Sequence, residues 1–335
     1  MPPVTPVAPS RRTVLASLAA AAALPWTAPI ASAAMVPPGF PQRSMTLVVP
    51  FSAGGPVDVL GRLLAEAFQA RSGQVALVEN RTGGAGNIGI DMVRKAPPDG
   101  GTLLLIPAGN LTINPTLMAN LPFHVEQDFA PVTLLASAPN IIVAAPGLGV
   151  RTIAELIAKA KAERISYGSP GVGSQLHLAM ELFNDKAGVA LAHVPYRGSS
   201  QALTDVIGNH IGLVATNLTA ALPAIRANSI VPLAMTTASR SPLVPEVPTL
   251  AEAGVDGIDV TSWYGMLAPK AIPAETRDAI AAVTGDVLRM PDLADKLAAQ
   301  GLTVTLEGPD VFAARIRRET AVWAEVIKAH RIASQ

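Results

Sequence analysis

The sequence predicts an α/β protein made of two lobes. Short apolar runs alternate with amphipathic helices from Met45 onward, and the same alternation starts again after Pro139. Hydrophobic residues make up 50% of the chain, and a chain of about 300 residues is large enough to form two cores. Such alternation favours mainly parallel sheets, with helices connecting the strands.

The elements can be placed in order from the hydrophobic periodicity. In the first half they are strand 46–49, helix 57–71, strand 75–78, helix 88–95 and strand 103–106. In the second half they are strand 141–144, helix 153–163, strand 165–167, helix 174–187, strand 192–194, helix 200–207 and strand 211–215. A strand at 258–262 and helices at 274–289 and 309–329 are expected to return to the first lobe.

The first residues are typical of an export signal rather than of the folded protein. Paired arginines at 11 and 12 precede an apolar run at 14–24, and small residues follow, which predicts a signal over 1–34 cleaved near Ala33/Ala34. The arginine pair resembles a twin-arginine signal, with a general secretory signal as the alternative. We therefore expect a mature protein that is soluble in the periplasm.

Composition excludes several classes of function. There is no cysteine, which rules out disulfides and thiolate metal sites. Removing the two signal arginines leaves 23 Lys and Arg against 25 Asp and Glu, a net charge of −2 that does not favour nucleic-acid binding. Aromatic residues are 4% of the chain, which argues against a sugar site built on stacked rings.

Two glycine-rich segments each lie between a predicted strand and a predicted helix. In 51–58, Gly54 and Gly55 permit a tight turn and Pro56 suits the first helical position. In 167–177, Gly173 or Ser174 can cap the helix, and Gly171 lets backbone approach a ligand. Helix N-termini favour anions, so one such loop from each lobe could hold an acid between them. The alternative is a pair of ordinary strand-to-helix turns.

Three other motifs are weaker evidence for a binding or metal site. Gly84–Gly89 matches G-x-G-x-x-G, but no acidic residue ends a strand about 20 residues later, so a dinucleotide site is disfavoured. His177 and Glu181 are one helical turn apart without an evident third metal ligand, which favours a capping or surface histidine. Trp263 and Tyr264 are expected to end a strand, either as core residues or as an apolar wall or hinge latch.

A series of short motifs resembles the Bug family, the substrate-binding components of tripartite tricarboxylate transporters. The likeness extends over nearly all of the mature chain. The matching segments, given by number, are 48–56, 78–81, 86–89, 96–100, 113–115, 128–132, 193–198 and 262–265.

The resemblance implies a fold and a domain organisation. The fold is the periplasmic-binding-protein (Venus flytrap) fold, with two lobes and two crossing strands as the hinge. The first lobe would be discontinuous, with residues 35–139 and 263–335, and the second lobe would contain residues 140–262. A cleft between the lobes would close around the ligand.

The resemblance also implies which residues contact the ligand. In the first lobe they would be Ser52, Ala53, Gly54, Pro56, Val57, Asp58 and Asn110. In the second lobe they would be Ser169, Gly171, Val172, Gly173, Ser174, His177, Tyr196 and Thr216. Two positions depart from the family pattern: Val57 replaces a frequent Thr or Ser, and Thr216 replaces a frequent Asp. Both changes disfavour an amino-acid ligand.

The expected function is reversible capture of a small carboxylate, without a chemical step, a cofactor or a metal. The protein is expected to be a monomer that makes transient contact with membrane permease subunits. A receptor that signals to a membrane sensor would use the same residues. A secreted hydrolase using Ser174 and His177 is the enzymatic alternative.

Overall fold

The computed structural model describes residue 2, residues 37–41 and residues 43–332. The predicted export signal, with its arginine pair and cleavage site, lies outside the described residues except for residue 2. Among the helices that the structure describes, none combines the length and the apolar character needed to cross a membrane.

Eleven named strands lie in the described part of the chain. In chain order they are β1 Met45–Val49, β2 Ala76–Asn80, β3 Thr102–Pro107, β4 Phe129–Ala138, β5 Asn140–Ala144, β6 Ser166–Ser169, β7 Ala192–Pro195, β8 Leu213–Asn217, β9 Val231–Met235, β10 Ser262–Pro269 and β11 Thr303–Glu307.

The described α-helices surround these strands. In chain order they are α1 Pro56–Ser72, α2 Asn87–Arg94, α3 Ala108–Thr112, α4 Asn114–Leu117, α5 Val125–Asp128, α6 Ile153–Ala162, α7 Gln175–Ala187, α8 Ser199–Ile207, α9 Leu218–Arg226, α10 Ala274–Leu288, α11 Pro291–Ala299 and α12 Pro309–Ala329. Short 3₁₀ turns lie at Gly84–Gly86 and Pro146–Leu148.

The strands form two separate sheets, one in each lobe. The first sheet has the order β11-β4-β10-β3-β1-β2, and the second has the order β7-β6-β8-β5-β9. The two-lobed α/β fold predicted from the sequence is confirmed. The strands of the second sheet all lie between residues 140 and 235, inside the range 140–262 predicted for the second lobe; the boundaries themselves stay a prediction.

Both sheets are mixed rather than mainly parallel, which corrects one part of the prediction. In the first sheet β1 pairs in parallel with β2 and β3, whereas β10 is antiparallel to both β3 and β4. In the second sheet β6 is parallel to its neighbours, but β5 is antiparallel to β8 and β9. At the edge of the first sheet, β11 is antiparallel to β4 as well.

The predicted position of the strand at 258–262 is also wrong. Residues 258–261 are irregular, and β10 begins at Ser262 and continues to Pro269. Every residue of β10 is buried, because the strand lies in the middle of the first sheet with helices on both faces. Trp263 and Tyr264 therefore begin a strand instead of ending one.

Asn140 holds the segments at the hinge together. Its buried side chain accepts hydrogen bonds at Oδ1 from Asn217 Nδ2 at 2.7 Å and from Ser262 Oγ at 2.8 Å. Its Nδ2 donates to the carbonyl of Val260 at 2.9 Å. One amide thus connects the start of β5, the end of β8, the segment just before β10 and the first residue of β10.

The last helix, α12, packs against both lobes. Phe312 and Ile316 belong to a core cluster of the first lobe. Further along, Trp323 packs against the core of the second lobe, and His330 Nδ1 lies 3.0 Å from Asp185 Oδ2 on α7. The last described helix therefore connects the cores of the two lobes.

Candidate functional site

A cavity of about 60 Å³ lies between the two lobes. Its lining comes from the carboxyl ends of β1, β2, β3, β6, β7 and β8 or the segments that follow them, and from the start of β10. In open α/β sheets this end of the strands is where ligands bind. A space of this size holds several water molecules, so the lobes approach each other closely around it.

The first glycine-rich loop is stabilised by Asp58 on α1. Asp58 Oδ2 accepts from the Gly54 backbone N–H at 2.9 Å and from Arg62 Nε at 3.0 Å, and Oδ1 accepts from Asn80 Nδ2 at 3.0 Å. Burial alone would raise the pKa of Asp58, but these hydrogen bonds, first among them the one from Arg62, hold it below its ordinary value. The carboxylate is thus ionised and already fully bonded within the first lobe.

The second glycine-rich loop begins α7, with Ser174 as its N-cap. Ser174 Oγ accepts from the His177 N–H at 3.1 Å and donates to the Gly171 carbonyl at 2.8 Å. The N–H groups of Gln175 and Leu176, in the first turn, have no acceptor inside the helix. Both of these residues line the cavity.

Among the described helices of eight or more residues, four begin at the cavity. The first residues of α1, α7 and α8 line it, as does the N-cap of α9: Pro56, Gln175, Ser199 and Asn217. Among the described residues that line the cavity, Asp58 is the one with a charged side chain, and Arg62 pairs with it. Because each N-terminus carries a partial positive charge, the cavity favours an anion without needing a lysine or arginine.

A buried pair of histidines lies behind the second loop. The rings of His177 and His193 stack with centroids 4.1 Å apart, and Tyr167 stacks on the far side of His193. His177 Nδ1 accepts from the Gly173 N–H at 3.3 Å, while His193 Nε2 lies 2.6 Å from Ser169 Oγ. Of the two interpretations of His177, the surface position is wrong, since 1% of the residue is exposed, whereas its bond to the Gly173 N–H agrees with a capping role. His177 supports the loop from within the second lobe.

Burial lowers the pKa of both histidines. The pKa of His177 falls to about 4, and that of His193 falls to about 3 through burial and repulsion from His177. The carboxylate nearest to His177 is Glu181, 3.9 Å from Nε2, and the Tyr167 hydroxyl donates to it at 2.7 Å. Both imidazoles are therefore neutral near pH 7.

We expect the protein to lose stability between pH 7 and pH 5. The unfolded chain takes up protons on these histidines near pH 6.5, and the folded protein does so only near pH 4 and pH 3. The unfolded state thus binds more protons in this window, which costs the fold about 2 kcal/mol per histidine. Thermal melts across this range measure the effect.

His177→Asn is expected to reduce the slope of stability against pH. His124→Asn, at an exposed position, is the control and is expected to leave this slope unchanged. Equal slopes in the parent protein and both variants would contradict the prediction.

The structure brings together most of the residues predicted for the site. The predicted residues that line the cavity are Ser52, Pro56, Val57, Asp58, Asn110, Gly171, Val172, Gly173 and Ser174. The others, Ala53, Gly54, Ser169, His177, Tyr196 and Thr216, are not in its lining. Tyr196 donates its hydroxyl to Asp205 at 2.7 Å, and Thr216 is fully buried in β8. Their direct contact with a ligand stays a prediction.

Several lining residues were not predicted from the sequence. They include Ala85, Gly109, Gln175, Gly198, Ser199, Asn217 and Ser262; Tyr264, for which an apolar wall was one expectation, lines the cavity as well. Ser199 and Asn217 are the N-terminal and N-cap residues of helices that follow strands of the second sheet. A search for every strand-to-helix junction in the sequence, not only the glycine-rich ones, would have found these two.

The lobes touch on one side of the cavity through serine residues. Ser52 Oγ lies 3.2 Å from Ser200 Oγ, and Ser200 Oγ donates to the Ala53 carbonyl at 2.8 Å. The Ser52 N–H donates to the Arg197 carbonyl at 3.2 Å. These bonds join the first glycine-rich loop to the start of α8, and they depend on the lobes being close together.

On another side the lobes meet through glycines. A Cβ atom added at Gly109 would lie 2.5 Å from the Gly173 carbonyl oxygen, and one added at Gly173 would lie 1.8 Å from Asn114 Oδ1. Real Cβ atoms do not approach so closely. At Gly109, backbone of the first lobe therefore packs directly on backbone of the second. At Gly173 the obstacle is the Asn114 side chain, and a φ of +74° also favours glycine.

Two α/β lobes, a crossing-strand hinge and a cavity at the strand ends define the class of periplasmic binding proteins. The model of the tripartite tricarboxylate transporter family receptor matches residues 60–332. Protein BugT of Bordetella pertussis is 33% identical over 86% of this chain and 90% of its own length. The chain therefore belongs to the tripartite tricarboxylate transporter receptor family, which includes the Bug proteins.

Solved structures with bound acids are similar to this chain. Rpa4515 of R. palustris, solved with adipate, is 35% identical with a TM-score of 0.84, covering 88% of this chain and 99% of that one. MatC (Rpa3494) of Rhodopseudomonas palustris, solved with malate, is 28% identical with a TM-score of 0.81, covering 86% of this chain and all of that one.

Proposed function

We propose that this protein is a periplasmic receptor that captures a small carboxylate between its lobes and delivers it to a tripartite tricarboxylate-type membrane transporter. The observation that carries the proposal is the convergence of four helix N-termini on a cavity without a cationic side chain in its described lining. The adipate and malate complexes of related proteins support the class of ligand.

Binding would occur through closure of the lobes. The serine contacts and the glycine contacts lie on different parts of the same interface, and both exist only when the cleft is narrow. A hinge motion about the segments held by Asn140 would open the cleft and release the ligand. Closure also removes water, which strengthens the attraction between the helix N-termini and an anion.

A chemical step is not part of the proposal. A hydrolase would need a base within hydrogen-bond reach of Ser174 Oγ. Instead this hydroxyl donates to the Gly171 carbonyl, and the nearby His177 uses Nδ1 to accept from the Gly173 N–H. The short Ser169–His193 contact is buried, and Ser169 is not part of the cavity lining. The arrangement supports a binding site in which these side chains hold the loop.

The export route and the assembly state are part of the same proposal. The mature chain would begin near Ala34, remain free in the periplasm and act as a monomer that contacts permease subunits transiently. Fractionation of cells that express the full chain, followed by sequencing of the mature N-terminus, tests the first part. Protein retained in the cytoplasm would contradict it.

A thermal-shift screen with the mature protein tests the ligand class. A ligand that binds only the folded state stabilises it by about 2.7 kcal/mol at 100 times its dissociation constant. We expect at least one mono- or dicarboxylate to raise the midpoint by several degrees, and the corresponding amide or alcohol to have no effect. If sugars or amines shift the midpoint and carboxylates do not, the proposed ligand class is wrong.

A further inference from the structure

Tyr264 lines the cavity and carries a buried hydroxyl without a hydrogen-bond partner among the described residues. The residue is 1% exposed. The nearby Ser262 hydroxyl interacts with the phenol, but it donates its one proton to Asn140 Oδ1, so the phenol receives no hydrogen bond from it. A buried hydroxyl without a partner destabilises the folded protein, so its retention needs an explanation.

The ring of Tyr264 is held firmly by the first lobe. It stands on the central strand β10, opposite Pro107 of β3, and packs in the core cluster beneath α1. Burial raises the pKa of Tyr264, so the hydroxyl keeps its proton and can donate it in a hydrogen bond. A ring fixed in this way presents its donor at one position, which is what selection of a ligand requires.

Much of the remaining cavity lining is apolar. The apolar residues include Phe51, Pro56, Val57, Val172 and Leu176. The glycine-rich loops and helix N-termini supply donors for one carboxylate, and Tyr264 supplies a separate donor. A ligand that matches this pattern has an oxygen acceptor at each end and a hydrocarbon body between them.

We propose that Tyr264 is a specificity-determining residue that donates a hydrogen bond to the second carboxylate of a linear aliphatic dicarboxylate. This inference rests on the proposed function, because it needs the first carboxylate to be held by the loops. It adds a donor from the hinge strand to a site that is otherwise built from helix N-termini. Monocarboxylates of equal length would leave the hydroxyl without a partner.

Tyr264→Phe tests the proposal, because it removes the hydroxyl and keeps the ring. Calorimetry with adipate and with hexanoate compares a six-carbon diacid with its monoacid. We expect the parent protein to prefer adipate, and the variant to lose roughly 10- to 100-fold in adipate affinity with hexanoate affinity unchanged. The melting temperature of the free variant is expected to equal or exceed that of the parent, since an unpaired buried hydroxyl is removed.

Tyr167→Phe is the matched control. It removes another buried tyrosine hydroxyl, which donates to Glu181 away from the cavity, so it is expected to lower stability without changing the ratio of the two affinities. A parent protein that binds hexanoate as tightly as adipate, or binds neither, overturns the role of Tyr264, as does an equal loss for both acids in Tyr264→Phe. The wider carboxylate screen decides the proposed function separately.

Discussion

Gly173→Val is expected to weaken carboxylate binding by about a hundredfold or more. Gly173 has φ +74°, which valine rarely adopts, and its Cβ would overlap Asn114 Oδ1 of the first lobe at 1.8 Å. The clash would hold the lobes apart, so the N-terminus of α7 could not reach a ligand held by the first loop. An affinity loss of this size corresponds to about 2.7 kcal/mol. Isothermal titration calorimetry with the acid identified in the screen measures it.

Ser174→Ala is the control for Gly173→Val. It removes the N-cap of α7, with a loss of stability of about 0.5 to 2 kcal/mol, but it adds no atom at the contact between the lobes. We expect its affinity to change by less than about tenfold. A melting curve for each variant shows that the fold survives. If Gly173→Val binds as tightly as the parent, the second loop is only a structural turn and the ligand lies elsewhere.

Gly109→Ala is expected to impair closure with little effect on the first lobe itself. Gly109 lies within α3, where alanine fits the helical backbone better than glycine does. In the closed arrangement, however, the added Cβ would be 2.5 Å from the Gly173 carbonyl oxygen and 3.1 Å from Ser174 Cα, both backbone atoms that cannot easily move. We expect an affinity loss of about tenfold or more, equal to at least 1.4 kcal/mol.

Small-angle X-ray scattering distinguishes this effect from a loss of ligand contacts. At saturating ligand, the parent is expected to contract and Gly109→Ala to keep a larger radius of gyration. The matched control is Gly285→Ala in α10, where the new Cβ would meet only the end of the Arg289 side chain, at 3.1 Å. We expect the control to bind and contract like the parent. Full contraction of Gly109→Ala would show that the glycine contact does not limit closure.

Local signals in the sequence explain which parts of the fold could be predicted. Helix α12 was predicted with the observed bounds, because Pro309 marks its first residue and an amphipathic pattern follows. Strands β4, β9 and β11 were missed. β4 contains Pro131 and β9 contains Pro232, and a proline in the sequence argues against a strand. β11 is a short edge strand in which no residue is fully buried. Their pairing depends on distant segments that no local pattern reveals.

In the candidate site, too, some residues could be predicted from local sequence and others could not. Glycine-rich turns that stand next to a strand and a helix are visible in the sequence, and both predicted loops reach the cavity. Gly109 and Ser200 are important because the two lobes are in contact at these residues. Tyr264 is important because its strand, β10, enters the first sheet directly after the hinge. These properties arise from the relative placement of segments more than sixty residues apart. The spacing of residues along the sequence does not show which distant segments meet in the folded protein.

The central position of β10 has a consequence for the order in which the chain can fold. β10 lies between β3 and β4, yet it follows β4 by more than 120 residues, and the whole second sheet is encoded between them. The second sheet can therefore form from one continuous stretch, whereas the first must wait for a strand made late in synthesis. Pairing over such long separations is slow because the intervening loop must be closed first. Until residues 262–269 are available, β3 and β4 lack their shared partner, and the first lobe remains unfinished while its neighbour is already formed.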